Sequence, residues 1–186
     1  MSALPARSAS RWFDDRVIGP GASRGERFVC YAGALAGTAL ALVLATLAEM
    51  PALALLVIAV VAFDLYGGAV ANATATATGK RWWHRPGRTT GHHFVFVVCH
   101  IQPFLLALVA PGVTWLWAAV AYGLTVAGTA VVLATPLHLR RPTAFAVTTL
   151  ALTVAAATVE PPPALSWFVP VLLIKLLLAH LLFERE

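Results

Sequence analysis

Charge is what this sequence has least of. Asp, Glu, Lys and Arg supply 11% of its 186 residues, while 60% are hydrophobic. Soluble domains carry about 25% charged residues. A chain this short and this apolar cannot cover its core with polar surface, which excludes an ordinary water-soluble domain. Cysteine is nearly missing as well. Cys30 and Cys99 both fall inside apolar runs, so there is no disulfide framework and no CxxC metal motif. No Walker loop is present to cradle a phosphate, and neither HExxH nor a repeated HxxxH spacing is present to hold a metal. The motifs therefore name no cofactor and no metal site. The formal charge of +5 is not gathered into a patch. Its basic residues sit between apolar runs, where membrane topology places them, so nucleic acid is not an expected partner. A cleavable leader is not expected either. The first apolar run begins near Phe28 and exceeds 20 residues, against roughly 7–15 for the core of a signal peptide.

What is there is a series of apolar segments. About 20 residues of helix cross a bilayer core, and six segments approach that length: 28–49, 51–78, 90–110, 113–134, 143–160 and 164–183. Prolines and threonines punctuate them. Pro51 suits a first helical position, Thr89 or Thr90 an N-cap. Pro142 should open the fifth segment, and Pro161 to Pro163 should close it. Pro103 and Pro170 should kink the third and sixth. The expectation is an all-α fold, a polytopic transmembrane bundle of six helices. Residues 1–26 read as a tail and 27–186 as the membrane domain. The lipid bilayer is then the first partner and the cell membrane the expected location, with the chain crossing it several times.

Lys and Arg fix the expected orientation. Five lie in the tail up to Arg27, four between Lys80 and Arg88, then Arg140, Arg141 and Arg185. These 12 of 13 fall on one side if the segments alternate. The opposite loops carry Glu49 and Glu160 and no basic residue. Both termini are therefore expected to be cytoplasmic. Trp82, Trp83 and Trp167 sit near expected interfaces, where an indole is half wet and half dry.

Ionisable groups at membrane depth need partners, because an unpaired charge there is unfavourable by at least a few kcal/mol. Asp64 lies about 20 Å along its helix from Pro51, His100 about 15 Å in from Thr90, and Lys175 about 13 Å in from Glu184. The three can converge, with Asp64 and Lys175 as an ion pair and His100 joining it. Nearer the cytoplasm lie Asn72, His93 and His180. His93 and His100 are seven apart and share a helix face. His180 and Glu184 are four apart and can touch. These residues define an expected polar pocket between the second, third and sixth helices, open to the cytoplasm and sealed by apolar outer halves. Asp64, His100 and Lys175 are its candidate catalytic groups. Asn72, His93, His180, Tyr66 and Trp167 are candidates to line it, with Trp117. Gly67-Gly68 either lets helices approach or leaves space beside Asp64. Gly33 and Gly37 form GxxxG, a close-packing face for a helix of this chain or of a second copy.

Three functions suit such a pocket. One is an enzyme using acid/base chemistry on an apolar isoprenoid or lipid. A second is a proton-coupled transporter or channel, although no inverted repeat is visible. A third is a structural subunit whose polar groups hold helices together. The layout is similar to that of small polytopic terpene cyclases, which place carboxylic acids and aromatic residues in a membrane cavity. That resemblance implies the first function.

Overall fold

The computed structural model describes residues 17–74 and 87–182. Those residues form an all-helical bundle with no strand. Six helical segments follow in order. They are α1 (Arg24–Leu47), α2 (Ala52–Ala73), α3 (Thr90–Val109), α4 (Trp115–Ala134), α5 (Leu137–Thr158) and α6 (Pro163–His180). All but α5 are long and apolar enough to cross a membrane. Large apolar side chains point outward all round the bundle, among them Leu47 at 77% exposure, Leu108 at 70% and Leu150 at 65%. Apolar surface on this scale marks contact with a partner or a membrane. Length and exposure together indicate a membrane protein.

Local chemistry explains where the segments depart from expectation. Helix α1 starts before the apolar run because Ser23 and Glu26 make a capping box: the Glu26 N–H donates to Ser23 Oγ, and the Ser23 N–H to Glu26 Oε2. Helix α2 stops at Ala73 rather than 78. Thr74 turns extended there, and its hydroxyl donates back to the Ala71 carbonyl. Thr89 is the N-cap of α3, and its N–H donates to His92 Nδ1. Pro142 does not open α5. The helix begins at Leu137 behind Pro136, and Pro142 lies in its second turn. The Arg140 guanidinium holds that early start in place by donating to the Leu133 and Thr135 carbonyls at the end of α4. His138, Arg140, Arg141 and the threonines lower the hydropathy of α5; Thr149, Thr153 and Thr158 donate to their own helix, while the buried Thr148 hydroxyl has no partner among the described residues.

The two expected kinks take other forms. Helix α3 is broken outright into Thr90–Val98 and Gln102–Val109. Pro103 has no N–H for the Cys99 carbonyl, and its ring would crowd that oxygen. Three of the freed carbonyls find donors: Ile101 N–H reaches Cys99, the Tyr122 hydroxyl reaches Val98, and His100 Nδ1 reaches Phe96. In α6, Pro170 sits in the first turn of Phe168–Leu173, where its missing N–H is no loss. The irregularity falls further on, where Ile174–His180 is a π-helix.

Helices α1 and α2 pack along small residues. A Cβ at Gly37 would overlap the Tyr66 ring, one at Gly33 would lie 3.0 Å from Val70 Cγ2, and one at Gly67 would lie 3.0 Å from Ala34 Cβ. The GxxxG face is therefore occupied within the chain. Ile18 and Ala22, which precede α1, are buried against Cys30 and Ala71. Expectations at Trp82, Trp83 and Glu184 lie outside the described residues.

Candidate functional site

Helix α2 brings Asp64 to mid-depth, and the π-turn of α6 brings Lys175 to meet it. Lys175 Nζ lies 2.6 Å from Asp64 Oδ2. The expected ion pair is present, but the two partners are unequal. The Lys175 side chain is 3% exposed and that of Asp64 48%. Gly68 makes the approach geometrically feasible. A Cβ on it would lie 2.5 Å from Lys175 Cε and 3.0 Å from Nζ. The two glycines thus divide the two expected roles. Gly67 lets α1 approach, and Gly68 leaves room for the lysine beside the acid.

The third member of the cluster is Gln102, not His100. Gln102 opens the second half of α3, directly after the break, and its Nε2 donates to Asp64 Oδ2 at 3.2 Å. Both donors therefore converge on one carboxylate oxygen. Among the described residues nothing hydrogen-bonds Oδ1. His100 turns back instead. Its Nδ1 donates to the Phe96 carbonyl at 2.7 Å, and its ring meets the edge of Phe96. The proline at 103 was the available signal for Gln102. A break there frees the preceding turn and re-aims the residue that follows it.

Asp64 opens onto an apolar groove of about 400 Å³. Its wall is Val60, Phe63 and Phe96, and its floor is small: Ala34, Gly67, Gly68 and Ala71. Val17, Ile18, Cys30, Tyr31, Asn72 and Lys175 complete it. Val60 is 63% exposed, so the groove lies on the flank of the bundle, where the hydrocarbon of a membrane would be. The expected pocket lay between α2, α3 and α6. The groove found is built mostly on α1 and α2, because the GxxxG packing draws α1 against α2 beside Asp64.

Of the expected lining residues, Asn72 is in the groove, its Nδ2 donating to the Gly68 carbonyl. His93, His100 and His180 are not. His93 and His180 share a 3.2 Å hydrogen bond and are both buried. Phe96, which does line the groove, stacks on His180 at 4.2 Å. An aromatic ring therefore stands between the buried histidine pair and the groove. Tyr66 and Trp167 are also elsewhere. Their rings pack together at 5.5 Å, and Trp167 is buried at 9% exposure. Trp117 lines a separate cavity of about 280 Å³ with Leu152, Val159 and Ser166.

The π-helix has a geometric consequence. Lys175 and His180 are five apart, which on an α-helix would turn them about 140° from each other. A π-turn closes i to i+5 and returns them to one side. Both are buried, at 2% and 1% exposure. Single-turn π-bulges are frequent at functional sites. No cluster of three or more His, Cys, Asp or Glu suited to a metal occurs among the described residues.

Comparison with protein-family models, with curated proteins and with solved structures finds no match to this chain.

Proposed function

We propose that this chain is a multi-pass protein of the cell membrane that takes an apolar small molecule, an isoprenoid or lipid, from the bilayer into its flank groove. Asp64 then acts on it by acid/base chemistry. The observation that carries this reading is the asymmetry of the Asp64 carboxylate. Lys175 and Gln102 both donate to Oδ2, no described residue donates to Oδ1, and Asp64 lines an apolar groove. A carboxylate needed only to hold helices together would sit fully between them. Here the lysine is enclosed and the acid is presented. Lys175 and Gln102 are positioning groups. His100 acts at one remove, by fixing the Phe96 turn that walls the groove.

The test is turnover. The purified protein is incubated with lipid extracted from its host membrane, and the lipids are compared by mass spectrometry. A product should form with the native chain and not with Asp64→Asn/Lys175→Met, which removes the acid without stranding the lysine. An equal product yield from both would overturn the acid role. A specific observation favours a transporter as the second reading. The broken α3 lies beside the ion pair, and transporter sites are typically built on discontinuous helices. Asp64-dependent proton flux into sealed proteoliposomes, with no lipid product, would decide for it.

The same reading places both termini in the cytoplasm, because 12 of 13 Lys and Arg then lie on that side. The turn at Gly112 packs beside Pro162: a Cβ on Gly112 would lie 3.3 Å from Pro162 Cγ. In a chain without Cys30 and Cys99, Pro162→Cys should react with an impermeant thiol reagent added outside cells, and Arg88→Cys should not. The reverse pattern would invert the topology.

A further inference from the structure

We infer that the molecule taken by the groove is a neutral long-chain alcohol, rather than an amine, a phosphate ester or a pure hydrocarbon. The inference rests on the reading of the groove as a small-molecule site and narrows its substrate class. It follows from charge and from the count of donors and acceptors. Asp64 and Lys175 neutralise each other at 2.6 Å, and no other charged residue lines the groove among the described residues. A ligand cation would compete with Lys175 for Asp64 and meet the lysine's repulsion. A ligand phosphate would meet the carboxylate, with no cation free to offset it. Neither charge is matched at a depth where unmatched charge is heavily penalised.

A pure hydrocarbon fails for the opposite reason, because it would cover Asp64 Oδ1 and leave a buried acceptor without a donor. A hydroxyl meets the need in both directions. It donates to Oδ1, and its oxygen accepts from the ammonium, which has three N–H groups and gives one to Oδ2. Asn72 adds a second acceptor. One N–H of its amide nitrogen goes to the Gly68 carbonyl, which leaves its oxygen and a second N–H on offer. The rest of the lining is apolar or small from Val60 to Ala71 along α2, with the Tyr31 hydroxyl and the Cys30 thiol on α1. That stretch from Val60 to Asn72 spans about 18 Å, room for a chain and not only a head.

The experiment uses the full chain in lipid nanodiscs and a 15-carbon alcohol carrying a diazirine near its tail. Light-induced adducts are mapped by mass spectrometry. Three competitors share the chain and differ at the head: the methyl ether, the primary amine and the phosphate monoester. Adducts should fall on groove residues such as Val60, Phe63 or Cys30 and be displaced by unlabelled alcohol. The ether can accept but not donate. It should need on the order of tenfold more to compete, the worth of one hydrogen bond to a charged group. The amine and the phosphate should compete no better than the ether. Competition by any of the three as strong as the alcohol's would overturn the alcohol assignment and leave the groove as a site. Adducts only outside the groove, with no competition by any head, would overturn the groove reading itself.

Discussion

Asp64→Asn should destabilise the folded bundle, by less than the about 3–5 kcal/mol lost when one partner of a fully buried ion pair is removed, because Asp64 itself is half exposed. The origin is the stranded lysine. Lys175 has a side chain 3% exposed, with an ammonium whose charge-balancing contact is to Asp64. Lys175→Met should also be damaging, because it takes the ammonium from Asp64 Oδ2 and leaves Gln102 as the donor to that carboxylate among the described residues. The double variant Asp64→Asn/Lys175→Met should recover most of the loss, since an apolar replacement for a buried pair is often neutral or better. Unfolding in one detergent at fixed composition gives the three values. Simple additivity of the single effects would show that the pair does not couple.

Gly68→Ala should act on the same contact from the other side. The new methyl would lie 2.5 Å from Lys175 Cε, 3.0 Å from Nζ and 3.2 Å from Cδ, so the lysine must leave its seat. Overpacking of this kind costs about 1–3 kcal/mol, and here it also pulls the ammonium off Asp64. Groove binding or turnover should fall with it. In the Asp64→Asn/Lys175→Met background the same change should be milder, because a thioether can bend away and has no partner to keep. An equal loss in both backgrounds would mean that Gly68 serves helix packing alone. Gly67→Ala is the contrast. Its methyl meets Ala34 Cβ at 3.0 Å, so it pushes α1 and not the lysine.

Much of the bundle was legible because membrane segments announce themselves by composition, and the Asp64–Lys175 pair because charge at that depth demands a partner. Details decided by single side chains were harder to read. The start of α1 was written in Ser23 and Glu26, outside the apolar run. The start of α5 depended on Arg140 reaching back to carbonyls of α4. The histidines were misplaced for one reason. Depth along a helix gives the layer a residue occupies, not the direction it faces once the helix is broken at Pro103 or widened into a π-turn. Gln102 went unassigned to the acid because a neutral amide carries no penalty strong enough to mark it. The groove itself was hidden in the small residues of α1 and α2, which reveal where helices touch but not what they leave open beside the contact.

The ion pair joins residues 111 positions apart. Chains emerge from the ribosome at about 5–20 residues per second, so the acid is made roughly 6–20 seconds before its lysine. Through that interval α2 bears a carboxylate without its native counter-charge, and α6 later supplies the partner. Of the described helices, α6 is thus the one whose arrival neutralises α2, so α2 made without α6 should hold its place in a bilayer less firmly than α2 made with it.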